Sequence, residues 1–154
     1  MLLRKLLLIE GLLTLRDFAL RRQQQLDSMN PGSVALVLGA TRQRRSRDIY
    51  LPFRQDSDFY YLRGFCEPDA FLVLMPGRVP GESVIFCRER DGVAERCAGP
   101  IPGPAAGPAA LAINDSLPIS DVADILPGLL EGLTQIYMNL GEHFLWDNRL
   151  VAYL

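Results

Sequence analysis

With 154 residues, 49% of them hydrophobic and 22% charged, the chain has the profile of one globular domain rather than of a disordered segment. At that length folding buries roughly two thirds of the surface that the unfolded chain exposes. A net charge of −2 excludes a global attraction to nucleic acid or anionic lipid, and three cysteines without a CxxC pair suggest neither a zinc ribbon nor a disulfide framework, so a reducing cytoplasm is the expected compartment.

The chain begins MLLRKLLLIEGLLTL, a basic start followed by leucines that imitates a secretory signal. Glu10 interrupts the apolar run, which is too short to span a bilayer, and no small-residue cleavage site precedes Arg16 and Asp17. Residues 1–15 are therefore set apart as a leucine-rich extension, and 16–154 as the domain proper.

From Leu15 the apolar positions Leu15, Phe18, Ala19, Leu26 and Met29 recur at helical spacing, and Pro31-Gly32 ends that helix. SVALVLGA (33–40) is aliphatic without polar alternation, as expected of a strand covered on both faces in a parallel or mixed sheet. TRQRRSRD (41–48) reads as a polar loop with four arginines. Without interleaved aromatic residues it is a solvated loop awaiting an acidic partner rather than a nucleic-acid grip.

Residues 53–74, FRQDSDFYYLRGFCEPDAFLVL, combine six aromatic rings with six charged side chains. Asp56 or Ser57 is a plausible N-cap for a short helix that Gly64 closes in a left-handed conformation. AFLVLMP (70–76) and ESVIFCRE (82–89) read as a β-hairpin. CAGPIPGPAAGPAA (97–110), with four prolines and three glycines, reads as irregular. Beyond it come a helix DVADILPGLLEGL, kinked or restarted at Pro127, a strand QIYMNLG and a last helix EHFLWDNRLVAYL. Strands alternating with helices make this a single α/β domain.

The chain offers little chemistry. His143 is the only histidine, which excludes His-rich zinc or manganese sites within it; it is expected to cap the start of the last helix or to sit half-exposed. No GxGxxG or GxxxxGK[ST] occurs. Asp56 and Asp58 could ligate a cation through oxygen, but two carboxylates at a helix start serve more simply as caps that favour its dipole. Cys87, inside an apolar strand, is expected in the core and Cys66 is expected to resemble it; Cys97 opens the Pro/Gly segment, with no histidine nearby in sequence to make it a nucleophile.

The runs RRQQQLDSMNPGSVALVLGA, RSRD and RQDSDFYYLRGF, followed by EPDAFLVL, resemble the amino-terminal domain of the Xaa-Pro aminopeptidase (aminopeptidase P) family, of the creatinase and prolidase group. The resemblance covers roughly residues 16–154. It implies a mixed β-sheet flanked by helices, ribonuclease H-like in type. It also implies a separate carboxy-terminal catalytic domain, whose Asp, His and Glu side chains hold two manganese-type ions. The chain stops at about the end of the first domain, so no cofactor and no catalytic residue is expected within it; without metal ligands a two-metal hydrolase loses its mechanism.

In such relatives the amino-terminal domain drives oligomer formation and lends residues to the substrate entrance. By resemblance Asp48 of RSRD is the substrate-facing candidate, where a carboxylate would hold a peptide's free amine; otherwise it pairs with a neighbouring arginine. Phe59, Tyr61 and Phe65 are expected to wedge the short helix onto the sheet, with Arg54, Asp56 and Asp58 fixing its start and meeting a partner surface. Where relatives carry a W-x-G-x-R-x-G stretch, this chain has Cys97-Ala98-Gly99-Pro100-Ile101-Pro102-Gly103, losing the large ring and the arginine of a cross-subunit contact. The expected partners are an aminopeptidase catalytic domain, further copies of the chain, and peptide substrate only at the entrance, with no nucleic acid and no membrane. The alternative is an orphan module that binds peptides or proteins.

Overall fold

Helix α1 (Leu15–Ser28) starts where the sequence supplies a reciprocal cap: the Thr14 amide donates to Asp17 Oδ2 at 2.6 Å and the Asp17 amide donates back to Thr14 Oγ1 at 3.3 Å. Phe18, Arg22 and Leu26, four residues apart, form its buried stripe. The computed structural model describes residues 13–47, 49–92 and 103–153, so residues 1–12 of the leucine-rich start, Asp48 and Cys97 lie outside the described residues.

Five strands make the main sheet, in the order β6-β5-β4-β1-β7. At its centre β1 (Ser33–Leu38) pairs antiparallel with β4 (Phe71–Leu74) through Leu36 and Val73, and β4 forms a hairpin with β5 (Ser83–Cys87) through Leu72 and Ile85. The two flanking strands, β6 (Asp115–Pro118) and β7 (Gln135–Tyr137), run parallel to β5 and β1. The sheet is thus mixed, as the aliphatic runs imply.

Side-chain alternation along the central strands fills two cores. Leu72, Leu74 and Ile85 pack with Leu26 of α1, Phe59 and Leu62 of α2 (Ser57–Arg63), and Leu111 of α3 (Gly103–Leu111). On the opposite face Phe71, Val73 and Phe86 pack with Leu126 of α4 (Val122–Leu130) and Leu150 of α5 (Phe144–Tyr153). Each such apolar side chain contributes about 1.5–3 kcal/mol on leaving water. Strands with helices on both sides bury both faces, which is why they show no polar alternation.

Four expectations from sequence need correction. The arginine run is no loop: β2 (Arg44–Ser46) and β3 (Ile49–Tyr50) pair antiparallel as a separate two-stranded ribbon. The second half of the Pro/Gly segment is helical, because Pro104 stands in the first turn, where an amide has no intrahelical partner, and alanines supply helix propensity around Pro108. Cys66 is exposed, unlike the buried Cys87. Helix α4 also runs through Pro127 without a break, and β6, a short polar edge strand ending in proline, has no signature that periodicity could detect.

Candidate functional site

The carboxyl ends of the parallel neighbours β1 and β7 open onto a groove. Pairing between them ends at Ala35 and Tyr137, whereas β1 continues to Leu38 with β4 alone beside it. The chain after Tyr137 swings away, and Asn139 Nδ2 donates to Asp58 Oδ2 on α2 at 3.0 Å. The cavity so formed holds about 570 Å3 and is lined by Leu36–Leu38, Asp58, Tyr61, Met138 and Glu142, among others. An adjoining cavity of about 490 Å3 shares Asp56, Glu142 and His143 with it and reaches Leu51 and Arg54. Crevices at the carboxyl ends of strands are where open α/β sheets hold ligands.

The wall of this groove is fixed by a residue to which sequence reading gave no role. Gln55 Oε1 accepts from the amides of Ala40 (2.6 Å) and Asp56 (2.9 Å), while Nε2 donates to the carbonyls of Phe65 (3.0 Å) and Glu67 (2.9 Å). Both amide hydrogens and both acceptor positions are used, so one side chain ties the end of β1 to both ends of α2. Gly39 makes room for it: a Cβ there would stand 3.3 Å from Gln55 Oε1.

Helix α2 and the residues flanking it carry most of the sequence-predicted candidates. Asp56 is its N-cap, accepting from the Phe59 amide at 2.9 Å, and Gly64 closes it at φ 60°. Phe59 and Phe65 are buried in the core. Tyr61 instead faces outward, 53% exposed, beneath the Arg21 guanidinium at 4.3 Å. Asp58 and Arg54 are exposed on the groove. His143 is half-buried, and its carbonyl accepts from the Trp146 and Asp147 amides at the start of α5.

The buried electrostatics lie elsewhere. Arg63, 1% exposed, donates to the Leu111 carbonyl at 2.7 Å, while its Nε and Nη2 are buried without hydrogen-bond partners. Arg22 donates to Leu62 and Ala112 carbonyls. Both guanidinium groups thus meet the carbonyl ends of α2 and α3, the negative poles of those helices. Burial, and then the nearby Arg22 charge, push Arg63 down to about 9; burial also pushes the Cys87 thiol up, away from reactivity.

Among the described residues no group of three or more His, Cys, Asp or Glu side chains is placed to hold a metal ion. Asp56 and Asp58 are both engaged in hydrogen bonds within the fold. No helix among these residues is long and apolar enough to cross a membrane.

Two exposed surfaces remain. The ribbon presents Ile49, Tyr50 and Leu51 beside Arg42, Arg44, Arg45 and Arg47, and α5 with the turn before it presents Leu140, Phe144, Leu145 and Val151. A small monomer seldom leaves such apolar clusters uncovered.

Comparison with known proteins agrees with this architecture. Residues 18–137 match the family described as Aminopeptidase P, N-terminal domain. The Xaa-Pro aminopeptidase of Escherichia coli strain K12 is 40% identical over 129 residues, and that of Haemophilus influenzae is 36% identical over 136. These alignments cover 83% and 88% of this chain but 29% and 31% of the two relatives. The solved structure of Pseudomonas aeruginosa aminopeptidase PepP superposes with a TM-score of 0.86 at 41% identity, over 91% of this chain and 32% of that one. An Escherichia coli aminopeptidase P structure in a low-pH form gives 0.85 at 38% identity. The chain spans about three tenths of the length of the relatives it matches. A mixed five-stranded sheet with helices on both faces, and a sequence match over most of its length, place this chain in the aminopeptidase P N-terminal domain family.

Proposed function

We propose that the chain is the non-catalytic amino-terminal domain of an Xaa-Pro aminopeptidase, acting by assembly and by shaping the substrate entrance of a manganese-dependent catalytic domain. The observation that carries this reading is the family match over residues 18–137, in relatives whose remaining length is more than twice the part aligned. The described donors, which suit no metal pair, support placing the chemistry outside these residues. The apolar and cationic surfaces of the ribbon and of α5 support the assembly role. Asp48, which lies outside the described residues, is the proposed substrate-facing carboxylate.

The test has two arms. The purified 154-residue chain, incubated at high concentration with manganese and an Xaa-Pro peptide, is expected to release no amino-terminal residue, and chelator-sensitive turnover would overturn the reading. Sedimentation is expected to give a multiple of the chain mass; a strict monomer would remove the assembly role.

A further inference from the structure

We propose that the groove between β1 and the Met138–His143 segment binds a short, positively charged peptide in extended conformation, laid beside Leu36–Leu38 as an added strand. The proposal stands apart from the preceding one, since it requires neither a catalytic domain nor an oligomer. Three independent features carry it.

The first is the strand edge. β1 runs three residues past its last pairing with β7, a length of roughly 10 Å at about 3.3 Å per residue, and on that side it meets a cavity instead of a strand. A peptide backbone satisfies such an edge in a way that a compact ligand does not. Size is the second feature. At about 570 Å3 the cavity lies within the range of roughly 300–1,000 Å3 of small-ligand sites, and it opens into the second cavity past Asp56, Glu142 and His143, giving an elongated channel.

Charge is the third. Asp56, Asp58 and Glu142 line the first cavity and no lysine or arginine does. Among the apolar side chains there, Leu62, Ile136 and Met138 offer surfaces for alternate residues of the peptide, while the carboxylates suit lysine or arginine between them. Arg54, in the second cavity, sets the far limit of that preference.

The test is an NMR titration of the 15N-labelled chain with the capped peptide Lys-Val-Lys-Val-Lys at low salt. Its controls are Glu-Val-Glu-Val-Glu and a copy of the basic peptide N-methylated at alternate residues. Saturable shifts at Leu36–Leu38, Met138 and Asn139 are expected with the basic peptide alone, with affinity at least tenfold weaker after N-methylation. The double variant Asp58→Asn/Glu142→Gln, its spectrum otherwise unchanged, should bind at least fivefold more weakly. Absence of shifts at millimolar peptide, shifts confined to another surface, or an equal response to the acidic peptide would overturn the proposal. An equal response to the N-methylated peptide, leaving charge contact without strand addition, would overturn it as well.

Discussion

Arg63 and Arg22 lie together beneath α2 and α3, each almost wholly buried, each donating to helix-end carbonyls, and neither in an ion pair among the described residues. Burial and the Arg22 charge bring Arg63 down to about 9, whereas the unfolded chain holds that proton to much higher pH. As pH rises through 9 the native state releases a proton that the unfolded state keeps, so stability increases; below 9 the cost of burying the charge is fully present. Relative to Arg63→Met, the natural chain is expected to gain about 1 kcal/mol between roughly pH 8 and 10. Urea denaturation at several pH values measures this, and parallel curves for the two proteins would refute it.

Gln55 offers a sharper test of what holds the groove open. Replacing it with Glu keeps the shape and the contacts to Ala40 and Asp56 but turns an amide donor into an acceptor facing the carbonyls of Phe65 and Glu67. At neutral pH Gln55→Glu should lose about 3 kcal/mol, the consequence of two unsatisfied partly buried acceptors and a carboxylate beside them. Its carboxyl is then harder to ionise in the native state than in the unfolded one, so the loss should shrink as pH falls. Chemical denaturation at neutral and acidic pH distinguishes this from a simple packing defect, which would not respond to pH.

The contrast between Phe59 and Gln55 explains which parts of the molecule are legible in sequence. The aliphatic runs of β1, β4 and β5 and the 56–64 helix with its Asp and Gly ends are set by local composition, and the structure has them where periodicity places them. Gln55 acts through backbone groups 10, 12 and 15 residues away, and no property of a glutamine between Arg54 and Asp56 announces that. The groove is equally hidden, since it arises where β7 stops pairing with β1 about a hundred residues later in the chain. Buried Arg22 and Arg63 deceive in the other direction: an arginine reads as a solvent-facing residue, yet Arg22 stands between Phe18 and Leu26 on the apolar face of α1, where carbonyls at two helix ends give it partners inside.

The start of α1 should be acid-sensitive. The Thr14 amide and hydroxyl both donate to the Asp17 carboxylate, at 2.6 and 2.7 Å, and with Arg21 and Arg16 nearby they hold its pKa below the usual 3.8. A depressed carboxylate contributes stability that is complete above 3.8 and lost as pH falls through the native value. The protection factors of the Asp17 and Phe18 amides, taken relative to their intrinsic exchange rates at each pH, are therefore expected to fall in acid before those of the core do. The variant Thr14→Val, which removes the hydroxyl donor, should raise the Asp17 titration midpoint seen by carboxyl NMR; an unchanged midpoint would show that the cap does not act on the charge.

Phe18 of α1 and Gly64 at the end of α2 are in closer register than any side chain at position 64 allows: a Cβ built there would stand 2.2 Å from Phe18 Cζ. The positive φ of 60° adds its own penalty of about 1 kcal/mol for an L residue, and displacing a packed ring adds about 1–3 kcal/mol. Gly64→Ala should therefore destabilise the chain by about 2–4 kcal/mol, in line with those two contributions. Phe18→Leu, which draws the clashing ring edge away, should cost less in the Gly64→Ala background than in the natural one. The double-mutant cycle thus separates steric contact from backbone strain. A coupling energy near zero would mean that the left-handed conformation alone demands glycine, whereas coupling of about 1 kcal/mol or more would show that the glycine is needed to let α1 seat on α2, the contact behind the wall of the groove.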